Sequence, residues 1–426
     1  MFELYSGIRW PNMIFHLAND RPFGHTGISR FSKTEIARRQ DLVRAKLKAM
    51  NCDLFITQGW FPTATFGCHS SLYWLSGYNG YRNTMTLILP VEGELAEIPG
   101  VKACCNLKRH DPYTGVEDLS PHILGAKRIA YDGLGYLTAA FKQYLEDTAP
   151  GVEVIDFSNE IEHMKAIKGA EEIELIKDAV AIQERIFASA ANYIYPGRAF
   201  WEITADITRQ MVLWGADPTL MGKVLIGFGR NGPFSLNVDT SGANAGVSTR
   251  FADDPNYRLQ RDDYVGLMLE AQGSGGYYAT NGRSFFFSEP HPEIREVWDE
   301  AVKMLYYTAS LLRPGVTGFH IHRMVNAYKV ERGFEPMVYT PERQRENLIH
   351  GCFLAEISGI GINTIDRPQP QFIWEDIVLE PGHSVVIYGG GEVRQGSRSA
   401  NAQKTCVITE GEPLVLGEFP MELIVL

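Results

Sequence analysis

Apolar residues recur every three or four positions over 32–50 (Ile36, Leu42, Val43, Leu47), which predicts a helix there with the Ser32 hydroxyl as its cap. The period then shortens. Brief apolar runs over 53–58, 73–77, 84–90, 129–132 and 152–155 read as strands, and helical spacing over 137–144 lies between the last two. Strands alternating with helices predict an α/β layered domain over residues 1–160. The first thirty residues show no period; they are rich in aromatics, Pro and Gly, and are expected to wrap over a neighbouring surface.

From 161 onward the punctuation repeats. A long amphipathic pattern over 171–194 stops at Pro196-Gly197, and a second follows over 200–214. The same order returns as 293–312, Pro314-Gly315 and 320–332, each time with irregular, strand-like sequence behind it. Pro and Gly after a helical run mark its end. Two copies of helix, Pro-Gly turn, helix and strands predict a duplicated α+β domain over 161–426.

Composition narrows the functional classes. With 45% hydrophobic and 21% charged residues, the 426-residue chain is neither a disordered protein, a collagen-like fibre nor a coiled coil. A formal charge of -11 has the wrong sign for phosphate contacts, so neither nucleic acid nor an anionic membrane surface is an expected partner. No apolar run reaches the roughly 18 residues that span a bilayer, and residues 1–20 lack the basic start and apolar stretch of a signal peptide. Six cysteines (Cys52, Cys68, Cys104, Cys105, Cys352, Cys406) form no Cys-x-x-Cys pair, and the vicinal Cys104-Cys105 reads as two reduced thiols. A cytoplasmic setting without structural disulfides is expected.

Five segments stand in a recognisable order: 31–53 (FSKTEIARRQDLVRAKLKAMNCD), 164–176 (MKAIKGAEEIELI), 276–285 (GYYATNGRSF), Leu379-Glu380-Pro381-Gly382, and 419–426. With the duplicated helix–turn–helix–strand unit behind them, they resemble the pita-bread superfamily of methionine aminopeptidases, prolidases and creatinase. The resemblance implies an α+β pita-bread fold over 161–426 behind a creatinase-type N-terminal domain over 1–160. It also implies a small-molecule substrate and a homodimer in which one subunit's N-terminal domain closes its partner's site.

The peptidases of that superfamily hold two metal ions with two Asp, one His and two Glu. Carried over residue by residue, one Asp position falls on Thr280, and the other falls at or beside Leu269, where the nearest acid is Glu270. The His falls on Ser358, the first Glu on Tyr388 and the last on Gln403. Hard divalent cations need several anionic oxygens or imidazoles converging on one point. Leu, Thr, Ser, Tyr and Gln do not supply them, so no metal site and no other cofactor is expected. A shift of about eight residues would bring His350 onto the His position, which still leaves one imidazole.

Metal loss resembles two branches of the superfamily, creatinase and ectoine hydrolase. The loop Leu75-Ser76-Gly77-Tyr78-Asn79-Gly80, the turn Ser358-Gly359-Ile360-Gly361-Ile362 and the Phe419-Pro420 ending are similar to the latter. Creatinase's catalytic His should lie between about 231 and 263, and no His occurs between His163 and His291. Glu270, at the end of the strand-like run 264–269, is the first candidate base or nucleophile. His350 is the second, as a proton shuttle. Arg82 follows an aromatic loop in a region from which creatinase uses an Arg to hold the substrate carboxylate; its planar fork suits that task. Tyr388, Gln403, Thr280 and Ser358 are expected to line the former ligand positions and to bind substrate by hydrogen bonds. His383 is a weaker candidate, His320 and His322 read as structural, and Arg283 is expected in a structural ion pair. The glycines at 226–232 and 389–391 lack the strand, G-x-G-x-x-G, helix order of a phosphate cradle.

The expected activity is metal-independent hydrolysis of a non-peptide C–N bond in a small zwitterionic nitrogen compound. Alternatives are a lyase on an osmolyte-like substrate, a metal-dependent Xaa-Pro-type peptidase and a non-catalytic binding protein. Leu348-Ile349-His350-Gly351 resembles part of a metal-dependent lyase of the superfamily, which keeps the first alternative open.

Overall fold

The computed structural model describes residues 31–59, 68–77, 85–99, 119–216, 223–231, 237–239, 257–273, 276–332, 357–359, 378–392 and 399–426. The chain divides into two compact units, Met1–Lys165 and Ala166–Leu426.

In the first unit, helix α1 (Lys33–Ala49) starts where the Ser32 Oγ accepts from the Glu35 backbone N–H at 3.1 Å. It buries Val43 and Leu47 on one face. Then come β1 (Leu54–Gly59), α2 (Cys68–Ser76), β2 (Met85–Pro90), β3 (Ala96–Pro99), α3 (Ser120–Ile123), β4 (Arg128–Tyr131), α4 (Ala139–Thr148), β5 (Glu153–Asp156) and α5 (Ser158–Ala166). The strands form one sheet in the order β3-β2-β1-β4-β5. β1, β4 and β5 run parallel, and β2 and β3 close the far edge antiparallel. Leu54, Ile56, Ile88, Ile129, Phe141 and Leu145 make its core.

One expected strand is a helix. Residues 73–76 belong to α2, with Leu72, Tyr73, Trp74 and Leu75 all buried. A short run that is apolar on every side carries no period to distinguish the two states. The Ser76 hydroxyl bonds back to the Leu72 carbonyl at 2.8 Å, which caps the final turn.

The second unit carries the repeat. α6 (Ala170–Ala188) and α7 (Phe200–Leu213) precede β6 (Lys223–Arg230), β7 (Asn237–Asp239), β8 (Asp263–Gln272) and β9 (Tyr278–Phe286). α8 (Pro292–Leu311) and α9 (Gly318–Glu331) precede β10 (Ile357–Gly359), β11 (Ser384–Glu392), β12 (Ser399–Val407), β13 (Leu414–Val415) and β14 (Ile424–Val425). The Pro-Gly turns are equivalent in detail. Gly197 and Gly315 both take positive φ, 93° and 82°, a region that favours glycine. Each donates its N–H to a leucine carbonyl ahead of the following hairpin, Leu259 at 2.7 Å and Leu379 at 2.8 Å. That shared bond explains why the same punctuation recurs in the sequence. The α6 pattern ends sooner than its spacing predicts, at Ala188, and a 3₁₀ turn over Ala190–Asn192 takes up the rest.

Two antiparallel hairpins stand behind the helices. β6-β8-β9, with β14 parallel on its edge, forms one sheet; β10-β11-β12-β13, with β7 on β12, forms the other. Ile182, Ile186, Ile203, Val265, Leu267 and Leu269 bury the α6 and α7 side of the first sheet. Val297, Trp298, Leu305, Val385, Ile387 and Cys406 bury the α8 side of the second. Among the described residues no helix is long and apolar enough to cross a membrane. The glycines of 226–230 and 389–391 lie in β6 and β11, as extended strand.

Candidate active site

Strand alternation separates Leu269 from Glu270. Odd positions of β8 (Val265, Leu267, Leu269) join the helix-side core, so even positions point to the opposite face. Glu270 pairs directly with Thr280 across the β8–β9 hairpin, and directly paired residues share a face. Glu270 therefore shares the face of Thr280, and Leu269 is a core residue. Both paired residues are enclosed, Glu270 at 7% and Thr280 at 2% exposure.

The same logic applies to the second hairpin. Val385, Ile387, Ala402 and Cys406 face α8. Tyr388 and Gln403, paired directly across β11–β12, lie on the other face. Thr405, two residues along, ties this face to the first hairpin: its Oγ1 accepts from the Thr280 N–H and donates to the Thr280 carbonyl, both at 2.9 Å. Glu270, Thr280, Gln403 and Tyr388 thus belong to one assembly. Tyr388 is partly exposed, while Gln403 is fully buried. Neither amide atom of Gln403 finds a hydrogen-bond partner among the described residues, nor does the Oε1 of Gln272, which is 2% exposed. Buried polar atoms are nearly always satisfied, so each exception calls for a partner such as water, an ion or a ligand.

The Glu270 hairpin is held from behind by side chains that the sequence did not single out. Gln183 on α6 donates to the carbonyls of Ala279 (2.7 Å) and Ala271 (3.2 Å), and its Oε1 accepts from Asn281 at 2.7 Å. The Tyr277 hydroxyl donates to Glu172 at 2.6 Å. Gly273 lets the hairpin end lie against α6, because a Cβ there would come within 2.7 Å of the Ala179 backbone nitrogen. Only the polar character of Gln183 on an apolar helix face could have signalled its role.

The other expected residues are placed as follows. Ser358 lies in β10 opposite Val386, and only its backbone is described. Arg82 and His350 lie outside the described residues. Arg283 is not in an ion pair among the described residues; its guanidinium donates to the carbonyls of Gly282, Phe419 and Pro420. Burial pushes its pKa down to about 10, which leaves it charged at neutral pH. The His383 Nδ1 accepts from the Glu380 N–H at 2.9 Å within its own turn, and His322 is bonded to Asn326, consistent with structural roles.

These residues do not fit a pair of metal ions. One carboxylate, with a threonine, a tyrosine and a neutral glutamine, lacks the donors that two divalent cations require. Among the described residues no group of three or more His, Cys, Asp or Glu is placed to hold a metal. Elemental analysis after a brief chelator wash is expected to give fewer than two transition-metal ions per chain. Two retained ions would overturn the donor count and place the missing ligands outside the described residues.

Residues 174–410 match the sequence model described as Metallopeptidase family M24. The "Probable dipeptidase PepE" of Mycobacterium bovis is 23% identical over 94% of this chain and 99% of its own length. The crystal structure of X-Pro aminopeptidase from Thermotoga maritima superposes with a TM-score of 0.68 at 18% identity, covering 91% of this chain and 99% of that one. Creatinase of a Bacillus species is 24% identical, but over only 45% of this chain and 44% of its own length. The α+β pita-bread reading holds. The reading as a metal-independent hydrolase of non-peptide C–N bonds, with its amidinohydrolase chemistry, does not: the similarity that runs the length of the chain is to peptidases. Short local resemblances and a changed ligand set do not by themselves specify which bond is cut.

Proposed function

Because the chain belongs to metallopeptidase family M24, we propose that it hydrolyses peptide bonds in short peptides. The observation that carries this reading is the placement of Glu270. It is an enclosed carboxylate on the face shared with Thr280, Gln403 and Tyr388, in a chain whose full-length relative is named a dipeptidase. Glu270 takes a proton from water as the water oxygen bonds to the carbonyl carbon. The Tyr388 phenol polarises the carbonyl oxygen. As the C–N bond breaks, Glu270 returns the proton to the departing amine. Thr280, Ser358 and Gln403 line the substrate's path, His350 relays protons, and Arg82 anchors a carboxylate. A homodimer goes with this reading by resemblance, and a cytoplasmic setting accords with Cys52 and Cys406, which are buried free thiols among the described residues.

The test is a panel of dipeptides and tripeptides incubated with the purified protein and assayed for new primary amine. Release of one amine per bond cut, at a rate proportional to protein concentration, is expected. A panel left wholly intact would sink the reading.

A further inference from the structure

We infer that the side-chain amide of Gln403 reads the residue on the leaving side of the scissile bond, and so selects secondary amides over Xaa-Pro bonds. This rests on the peptide-hydrolase reading and deepens it. Gln403 is fully buried, and neither its Oε1 nor its Nε2 has a partner among the described residues. A primary amide offers at once an acceptor and donors. Turning the group end for end leaves that inventory unchanged, so the requirement does not depend on how the amide is oriented.

A partner for both atoms has to bring one N–H and one acceptor to the same side. In extended backbone a single residue does this with its own N–H and C=O, as residues do in an antiparallel ladder. A free ammonium brings no acceptor and a carboxylate no donor, so neither matches both atoms. The described groups on this face are the neutral Tyr388, Thr405 and Thr280 together with the Glu270 carboxylate, which further disfavours a second anion. Tyr388, directly opposite and partly exposed, marks the side from which a ligand arrives.

The residue on the leaving side carries the scissile nitrogen. In an ordinary peptide that nitrogen has a hydrogen for Oε1. In an Xaa-Pro bond it has none, and Oε1 stays orphaned in the complex. A site built around an N–H discriminates strongly against a substrate lacking it. The neighbouring structures include an X-Pro aminopeptidase, so the choice between the two bond types is an open property of this scaffold, and Gln403 is placed to decide it.

The experiment compares Ala-Ala-Ala with Ala-Pro-Ala, using wild type, Gln403→Met and Gln403→Glu. For wild type, kcat/KM on Ala-Ala-Ala is expected to exceed that on Ala-Pro-Ala by about 10–100-fold, the size of one orphaned buried group. In Gln403→Met the preference collapses to within about threefold through loss on Ala-Ala-Ala, with Ala-Pro-Ala little changed. Gln403→Glu keeps the shape but loses the donor, and is expected to fall on both substrates. The melting temperature of Gln403→Met should be equal or higher, because the substitution removes two orphaned atoms from the interior; a clear drop would show that Gln403 serves the fold, and would overturn the inference. So would a wild type that cleaves both peptides equally or prefers Ala-Pro-Ala. Cleavage of neither sinks the peptide-hydrolase reading instead. In that event ligand-observed NMR with N-acetylalanine methylamide and N-acetylproline methylamide still decides. Saturation of the alanine compound alone, lost in Gln403→Met, supports the role; equal saturation of both, or of neither, ends it.

Discussion

Glu270→Gln is expected to lower kcat/KM on a peptide substrate by about 1,000-fold or more, roughly 4 kcal/mol at 1.36 kcal/mol per decade. The variant keeps the volume of the side chain and removes its capacity to take a proton. Glu270 is enclosed and shares the face of Thr280, Tyr388 and Gln403, so no bulk-solvent base replaces it at close range. A general base works only when ionised. Wild-type kcat/KM should therefore fall on the acid side, and that limb should vanish from the residual activity of the variant. Glu270→Asp, which keeps the carboxylate but shortens its reach, is expected to fall between the two. Thermal melting of the glutamine variant separates chemistry from folding: a large loss of activity with an unchanged midpoint is the expected pair. Metal content supplies the other control. If the glutamine variant lost a bound ion along with its activity, Glu270 would be a ligand and not the base. Full activity in the glutamine variant would remove Glu270 from the mechanism.

The candidate site could be written from the sequence only as a list of positions, not as geometry. The helices and the duplicated unit were legible because period and punctuation are local: Pro196-Gly197 and Pro314-Gly315 end helices wherever they occur. Which of Leu269 and Glu270 faces the site was not legible. All ten residues of β8 and all nine of β9 are buried, so the usual alternation of apolar and polar residues is missing. Only the pairing of Glu270 with Thr280 fixes the face, and a slip of one residue would invert it. Thr405 and Gln183 act through backbone groups that are distant in sequence, and nothing in their own neighbourhoods marks them. The apolar run at 72–75 misled for the same reason as β8, since burial on every side erases the period. The bond cleaved was misread at another level: the choice of substrate rested on the vacated ligand positions and on short local resemblances, while the similarity that runs the length of the chain is to peptidases.

Arg283→Met is expected to destabilise the second unit by about 3–5 kcal/mol, the largest single effect on stability anticipated here. Its guanidinium is fully buried and donates to three carbonyls, Gly282 at 2.7 Å, Pro420 at 2.7 Å and Phe419 at 2.8 Å. The rings of Phe187 and Phe419 flank it at 5.2 Å and 5.7 Å. Methionine fills much of the volume but leaves three carbonyls without their donors, and each costs about 1–3 kcal/mol when the loss is not relieved by water. Lysine should rescue little, because an ammonium on a flexible stem cannot reproduce a planar fork spread over acceptors on two segments. The loss should also be local at first. Arg283 joins β9 to the closing segment, which is further held by Phe419 N–H on Glu184 at 2.6 Å and by β14 on β9. In the variant, limited proteolysis is expected to cut near 417–423 before any other described region. The penalty should be flat between about pH 6 and pH 8. With its pKa lowered only to about 10, Arg283 is protonated there in both folded and unfolded chains, and linkage adds no slope where the two states bind equal protons. A midpoint shift that grew steadily across that window would mean another titrating group carries the effect. A variant as stable as wild type, with an uncut C-terminal segment, would show that the three bonds are dispensable and that the β14–β9 pairing alone holds the chain end.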